Sequence, residues 1–180
     1  MGDSYDHTSS SSVITIRVPD FIKQELSNIS ESNHLTLNAN IAKILTQYIE
    51  WEQFVGDSGF VYTNKVFLKQ LFKSVDEKEI RRIAKDYCVE SLKTSVLYIH
   101  GEITNNTLIK TIEGWFRTSH IPFRHIEKHG TTNYIAQHGL GKKWSLYIFT
   151  VIETIAHEIG YAVEGQQEQN SVSFTIKKQT

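Results

Sequence analysis

The sequence predicts an α+β protein in two parts: an N-terminal strand-helix-helix module, then helices packed on an antiparallel sheet. Three observations carry this. One period-2 stretch, Val13–Val18, gives way to two helical stretches ending near Trp51. The middle of the chain keeps a helical period, and from Phe123 onward the pattern reads hairpin, helix, hairpin. Strands grouped as antiparallel hairpins, with helices to cover one face, define the α+β class.

Taken in order, residues 1–12 hold Asp3, Asp6 and the run Ser9–Ser12, with almost nothing to bury, and are expected to form a disordered tail. In Val13–Val18 the alternation sets Ile14, Ile16 and Val18 on one face and Val13, Thr15 and Arg17 on the other, and Pro19 stops it. Asp20 is placed to cap a helix carrying Ile22, Leu26 and Ile29. Thr36 is placed to cap a second, with Ile41, Ile44, Leu45, Tyr48 and Ile49 as its stripe. A lone strand leaves its backbone donors and acceptors unpaired, so this one must pair with another chain. A twofold homodimer with an antiparallel two-stranded ribbon is the simplest closure.

Strand, helix, turn, helix, with Ile16-Arg17-Val18 leading into the first helix and Asn33-His34-Leu35-Thr36 between the two, resembles the ribbon-helix-helix DNA-binding proteins. The resemblance implies a DNA-binding regulator whose ribbon enters the major groove. By position it assigns base reading to Val13, Thr15 and Arg17, and phosphate binding to Thr36 with the amides of Leu37 and Asn38. His34 stands where that family usually has glycine, and histidine visits positive φ more readily than most residues. The chain as a whole resembles an archaeal group of small regulators with such a head and an α/β tail of unsettled function.

Charge argues the other way. Residues 1–55 carry three basic against seven acidic side chains, a net of −4, which leaves about +3 for the rest of a chain whose total is −1. Most non-specific affinity for DNA comes from neutralised phosphates. A head that serves only to dimerise is therefore the alternative reading.

Gly56–Gly59 marks the boundary, so the head is expected at 13–55 and a second domain, for an effector or a partner, at 60–180. Thr63 can cap a short helix there. Asp76 opens a longer helix through Ile80, Ile83, Ala84, Tyr87, Leu92 and Val96, stopped by Gly101. Its tail, residues 94–100, is β-branched enough that a strand is the alternative to helix there. Thr104 caps a helix presenting Leu108, Ile112, Trp115 and Phe116, with Pro122 as its limit. Phe123–Lys128 and Thr131–His138 form a hairpin about His129-Gly130. A long helix with Trp144, Ile148, Val151, Ile155 and Ile159 follows, then a second hairpin from Tyr161–Gly165 and Ser171–Lys177.

The candidates for chemistry in this tail are few. His120, His125, His129 and His138 crowd the first hairpin, but no acidic or cysteine ligand has an obvious place beside them, and no metal is assigned. His157-Glu158 lacks the second histidine of a zinc-protease helix, since Tyr161 stands four places on. Gly139, Gly141, Lys142 and Lys143 join a strand to a helix N-terminus and could hold an anionic effector, although an ordinary tight turn explains them as well. No nucleophile and base stand out, so neither an enzyme nor a cofactor is expected. The single cysteine, Cys88, excludes an internal disulfide, and a reducing cytoplasm is the expected home. No apolar run approaches the length that spans a bilayer, so no membrane partner is expected.

Overall fold

The structure, a computed structural model, describes residues 12–56, 61–128 and 131–179. The N-terminal tail, most of the Gly56–Gly59 boundary and the His129-Gly130 turn lie outside the described residues. The chain divides into two units, 1–46 and 47–180. The division falls ahead of the glycine-rich boundary, so Tyr48–Val55, read from the sequence as the end of the head, packs in the second unit.

The first unit holds α1 (Asp20–Ser32) and α2 (Leu37–Gln47). Asp20 does not cap α1 as the sequence suggests. Pro19 occupies the N-cap with φ −55° and ψ 146°, and its carbonyl accepts from the amides of Ile22 and Lys23 at 3.0 and 3.3 Å. Proline lacks an N–H and so loses nothing there, which makes Asp20 the first helical residue, with its carboxylate beside the positive end of the helix dipole. Val13–Val18 is exposed and joins no strand among the described residues.

The second unit begins with a π-helical turn, Tyr48–Glu52, and the single turn α3 (Gln53–Val55). Asn64, rather than Thr63, caps α4 (Lys65–Ser74), its Oδ1 accepting from the amides of Val66 at 2.8 Å and Phe67 at 3.2 Å. Asp76 caps α5 (Glu77–Ile83) through the Glu79 amide at 2.8 Å. A π-helical turn, Ala84–Cys88, leads to α6 (Val89–His100). The ambiguous segment 94–100 is thus helical. Leu92, Ser95 and Val96 are buried while Leu97 and Tyr98 are exposed, so burial follows the helical period and overrides β-branched propensity. Gly101 ends the helix at φ 76°.

Thr104 and Thr107 form a reciprocal capping box at the start of α7 (Asn105–Thr118). The helix stops before Pro122 because His120 turns to φ 51° and the Ile121 amide reaches back to the Phe116 carbonyl at 2.8 Å.

The hairpins are β1 (Phe123–Lys128) with β2 (Thr131–Gln137), and β3 (Tyr161–Gln167) with β4 (Ser171–Lys178). They join in one antiparallel sheet of order β1-β2-β4-β3, with Tyr134 opposite Phe174 where the hairpins meet. Tyr134 and Ala136 of β2, with Val172, Phe174 and Ile176 of β4, form its buried face, against α8 (Lys142–Glu158). Gly165 of β3 is obligatory, because a Cβ there would lie 2.0 Å from the Ser173 carbonyl oxygen. The core continues through Val89, Leu108, Ile112, Phe116, Ile148, Ile152 and Ile155.

Candidate functional site

In the first unit, the turn between α1 and α2 is fixed by backbone geometry. His34 adopts φ 57°, the left-handed conformation the sequence demanded of it. The His34 amide donates to the Glu31 carbonyl at 3.0 Å and the Leu35 amide to the Ser30 carbonyl at 2.9 Å, a Schellman closure. Thr36 then caps α2, its Oγ1 accepting from the Ala39 amide at 3.1 Å. That leaves the Thr36 hydroxyl proton and the amides of Leu37 and Asn38 without a partner among the described residues, at the positive end of the helix. Three donors at a helix N-terminus can hold a phosphate.

One polar pair ties the two helices together. Asn40 Nδ2 donates to Ser30 Oγ at 3.0 Å, and Ser30 Oγ donates to the Leu26 carbonyl at 2.6 Å. Ser30 and Asn40 are also the buried side chains of this unit among the described residues. The large apolar side chains stay in solvent, with Val13 96 % exposed, Ile14 74 %, Phe21 70 % and Ile16 60 %. Thr15 and Arg17 are exposed as well, and Arg17 makes no ion pair among the described residues.

In the second unit the loop Gly139–Lys143 is largely committed to the fold. The Gly139 amide donates to the Asn170 carbonyl at 3.1 Å and the Leu140 amide to His138 Nδ1 at 3.0 Å. Lys143 Nζ donates to the carbonyls of Val75 at 2.6 Å and Lys73 at 3.0 Å, closing the C-terminal end of α4. Gly139 at φ 69° and Gly141 at φ 97° make the turn possible. Of the four residues named for an anion, Lys142 alone retains an ammonium with no such engagement among the described residues.

His138 Nε2 lies 2.8 Å from Ser145 Oγ, and both residues are fully buried. A serine-histidine contact invites a catalytic reading, but the proton assignment opposes it. Nδ1 accepts from the Leu140 amide, so a neutral ring carries its proton on Nε2 and donates to Ser145 Oγ. The Ser145 hydroxyl in turn donates toward the carbonyls of Glu168 at 2.6 Å and Ser171 at 3.0 Å. A nucleophilic serine needs the reverse polarity, with its proton directed to the imidazole. The pair therefore fastens the start of α8 to the second hairpin. Burial, and secondarily the charge of Lys65, depress the His138 pKa to about 4.

Glu113 of α7 is the remaining buried carboxylate cluster, and nothing in its spacing announced it. Its oxygens meet Arg117 Nη2 at 2.9 Å, His125 Nδ1 at 3.1 Å and Tyr134 Oη at 3.2 Å. With its oxygens accepting from donors on α7, β1 and β2, it reads as a clasp between the helix and the sheet. No three histidine, cysteine or acidic side chains converge on a metal position among the described residues. Nor is any described helix long and apolar enough to cross a membrane.

In comparison with known proteins, the chain matches no family model and no curated sequence.

Proposed function

We propose that this chain is a sequence-specific DNA-binding transcriptional regulator that acts as a homodimer through its N-terminal unit. Two Val13–Val18 segments pair antiparallel about a twofold axis and enter the major groove. Thr15 and Arg17 reach base edges, with Arg17 suited to guanine, and Val13 contributes apolar contact. The Thr36 hydroxyl and the amides of Leu37 and Asn38 hold a phosphate and fix register without reading sequence. The second unit serves sensing, further oligomerisation or partner contact.

The observation that supports this most is the burial pattern of the first unit. Its buried side chains among the described residues are the polar Ser30 and Asn40, while Ile14, Ile16, Val18, Phe21, Ile29, Ile44 and Leu45 are exposed. A helix pair with an apolar stripe and no apolar core gains its stability from another surface, and a second copy supplies one of matching pattern.

Selection from a random duplex pool tests the reading, using the full-length protein and its Thr15→Ala/Arg17→Ala variant at two salt concentrations. Enrichment of a short symmetric site, lost in the variant, is the expected result. Absence of enrichment, or enrichment indifferent to the two substitutions, would overturn it. The net charge of −4 over residues 1–55 favours a second reading, in which the head only dimerises and the protein works through protein contacts.

A further inference from the structure

The second unit contains a cavity of about 430 Å³ bordered by every tryptophan of the chain and by its single cysteine, Cys88. Cavities of about 300–1,000 Å³ enclose most of a small organic ligand. The described chain has two π-helical turns, Tyr48–Glu52 and Ala84–Cys88, and each places a residue in this wall, Trp51 from the first and Cys88 from the second. A π-turn interrupts the regular helical ladder, and such turns gather at functional sites.

Polarity is graded along the wall. Its buried residues are aliphatic or aromatic, Leu92, Ile121, Leu140, Trp144 and Val151 among them, with Thr118 the exception. The polar residues Thr63, Lys65, Ser91, Ser119 and His120, which also border it, are exposed. Because buried and exposed residues share the wall, the cavity runs from solvent into the core, and its inner part offers a guest hydrocarbon and ring surface. An apolar body seated there releases water held against that surface. A full charge taken to the same depth gives up its hydration.

We propose that this cavity binds a small neutral amphiphile, with a body of one or two aromatic rings, or hydrocarbon of that size, seated inward and a single polar group toward the exposed polar residues. The site lies wholly within the second unit and does not presuppose that the first unit binds DNA.

Three probes that share a naphthalene body and differ at the polar end test the class: uncharged 1-naphthol, anionic 1-naphthoate and cationic 1-naphthylmethylammonium. Calorimetric titration of the full-length protein should give a single saturable site per chain for 1-naphthol, at least about tenfold tighter than for either ion. Cys88 is the only thiol, so its labelling by N-ethylmaleimide, followed by mass spectrometry, reads the cavity directly, and saturating 1-naphthol should slow it severalfold. Ser119→Trp, at an exposed position, and Leu92→Trp, at a buried one, occupy the cavity and should each weaken 1-naphthol binding about tenfold, with the melting temperature of the Ser119 variant unchanged. The proposal is overturned if 1-naphthol does not saturate the folded protein, if it leaves Cys88 labelling unchanged, if either ion binds as tightly as 1-naphthol, or if both variants bind like the parent.

Discussion

The indole of Trp51 packs directly on Gly114 of α7. The indole of Trp51, 4 % exposed, covers α7 at Gly114 so tightly that a Cβ at 114 would stand 2.6 Å from Cε3. Glycine inside a helix ordinarily costs about 0.5–1 kcal/mol relative to alanine, so Gly114→Ala would stabilise an isolated helix. In this protein it should do the opposite, by about 1–3 kcal/mol, because the whole indole and its π-helical turn must move to admit the methyl group. Urea denaturation of the two proteins decides this; a higher midpoint for the alanine variant would show that Trp51 yields freely.

His138 makes stability depend on pH. Its native pKa is pushed down to about 4 from an ordinary 6.5, by burial and by Lys65. Between pH 6.5 and 4 the unfolded chain therefore binds a proton at this residue that the native chain does not, and stability rises with pH across that window. The contribution is complete above pH 6.5 and is lost as the pH falls, up to about 3 kcal/mol in all. His100 is depressed in the same sense by burial and Lys110. The comparison to make is the parent against His138→Asn, which keeps an acceptor for the Leu140 amide and cannot titrate. The variant should show a flatter stability profile from pH 6.5 to 4, and an identical slope would refute the assignment.

If the first unit completes itself with a second copy, the protein sediments at twice its chain mass of 20.7 kDa. Ile16→Glu then dissociates it, since a carboxylate on the inner face of the ribbon loses its hydration against apolar side chains. Analytical ultracentrifugation at micromolar concentration distinguishes the cases. A monomeric parent protein removes the ribbon and with it the proposed mode of DNA binding.

Arg17→Ala is expected to cost about 1–3 kcal/mol on the preferred duplex and to relax base choice at one position of each half-site. A base-reading arginine differs from a phosphate contact in this respect. Uniform weakening on all duplexes, with a shallower salt dependence, would assign Arg17 to the backbone instead.

Local chemistry was legible in the sequence where one residue acts on its near neighbours. Thr104, Asp76 and Gly101 end helices as their types require, and His34 takes the left-handed turn its position demands. Both hairpins stand where period 2 and turn residues place them. The misplaced caps, Asp20 for Pro19 and Thr63 for Asn64, are shifts of one residue between adjacent capping candidates. The segment 94–100 could not be settled locally, because its β-branched residues are helical only by virtue of what Leu92 and Val96 pack against.

The sequence alone determined the α+β class and the four strands with their hairpin pairing, since period and turn chemistry act over a few residues, whereas the strand expected at Val13–Val18 is not formed within the described chain. Only the tertiary structure decided that β2 and β4 join the hairpins into one sheet, that Trp51 seats on Gly114, and that His138 locks against Ser145 while Lys143 closes α4. It also decided that the three tryptophans line one cavity of the second unit. These relations link residues distant along the chain, and their energies arise from burial and from donors matched across space.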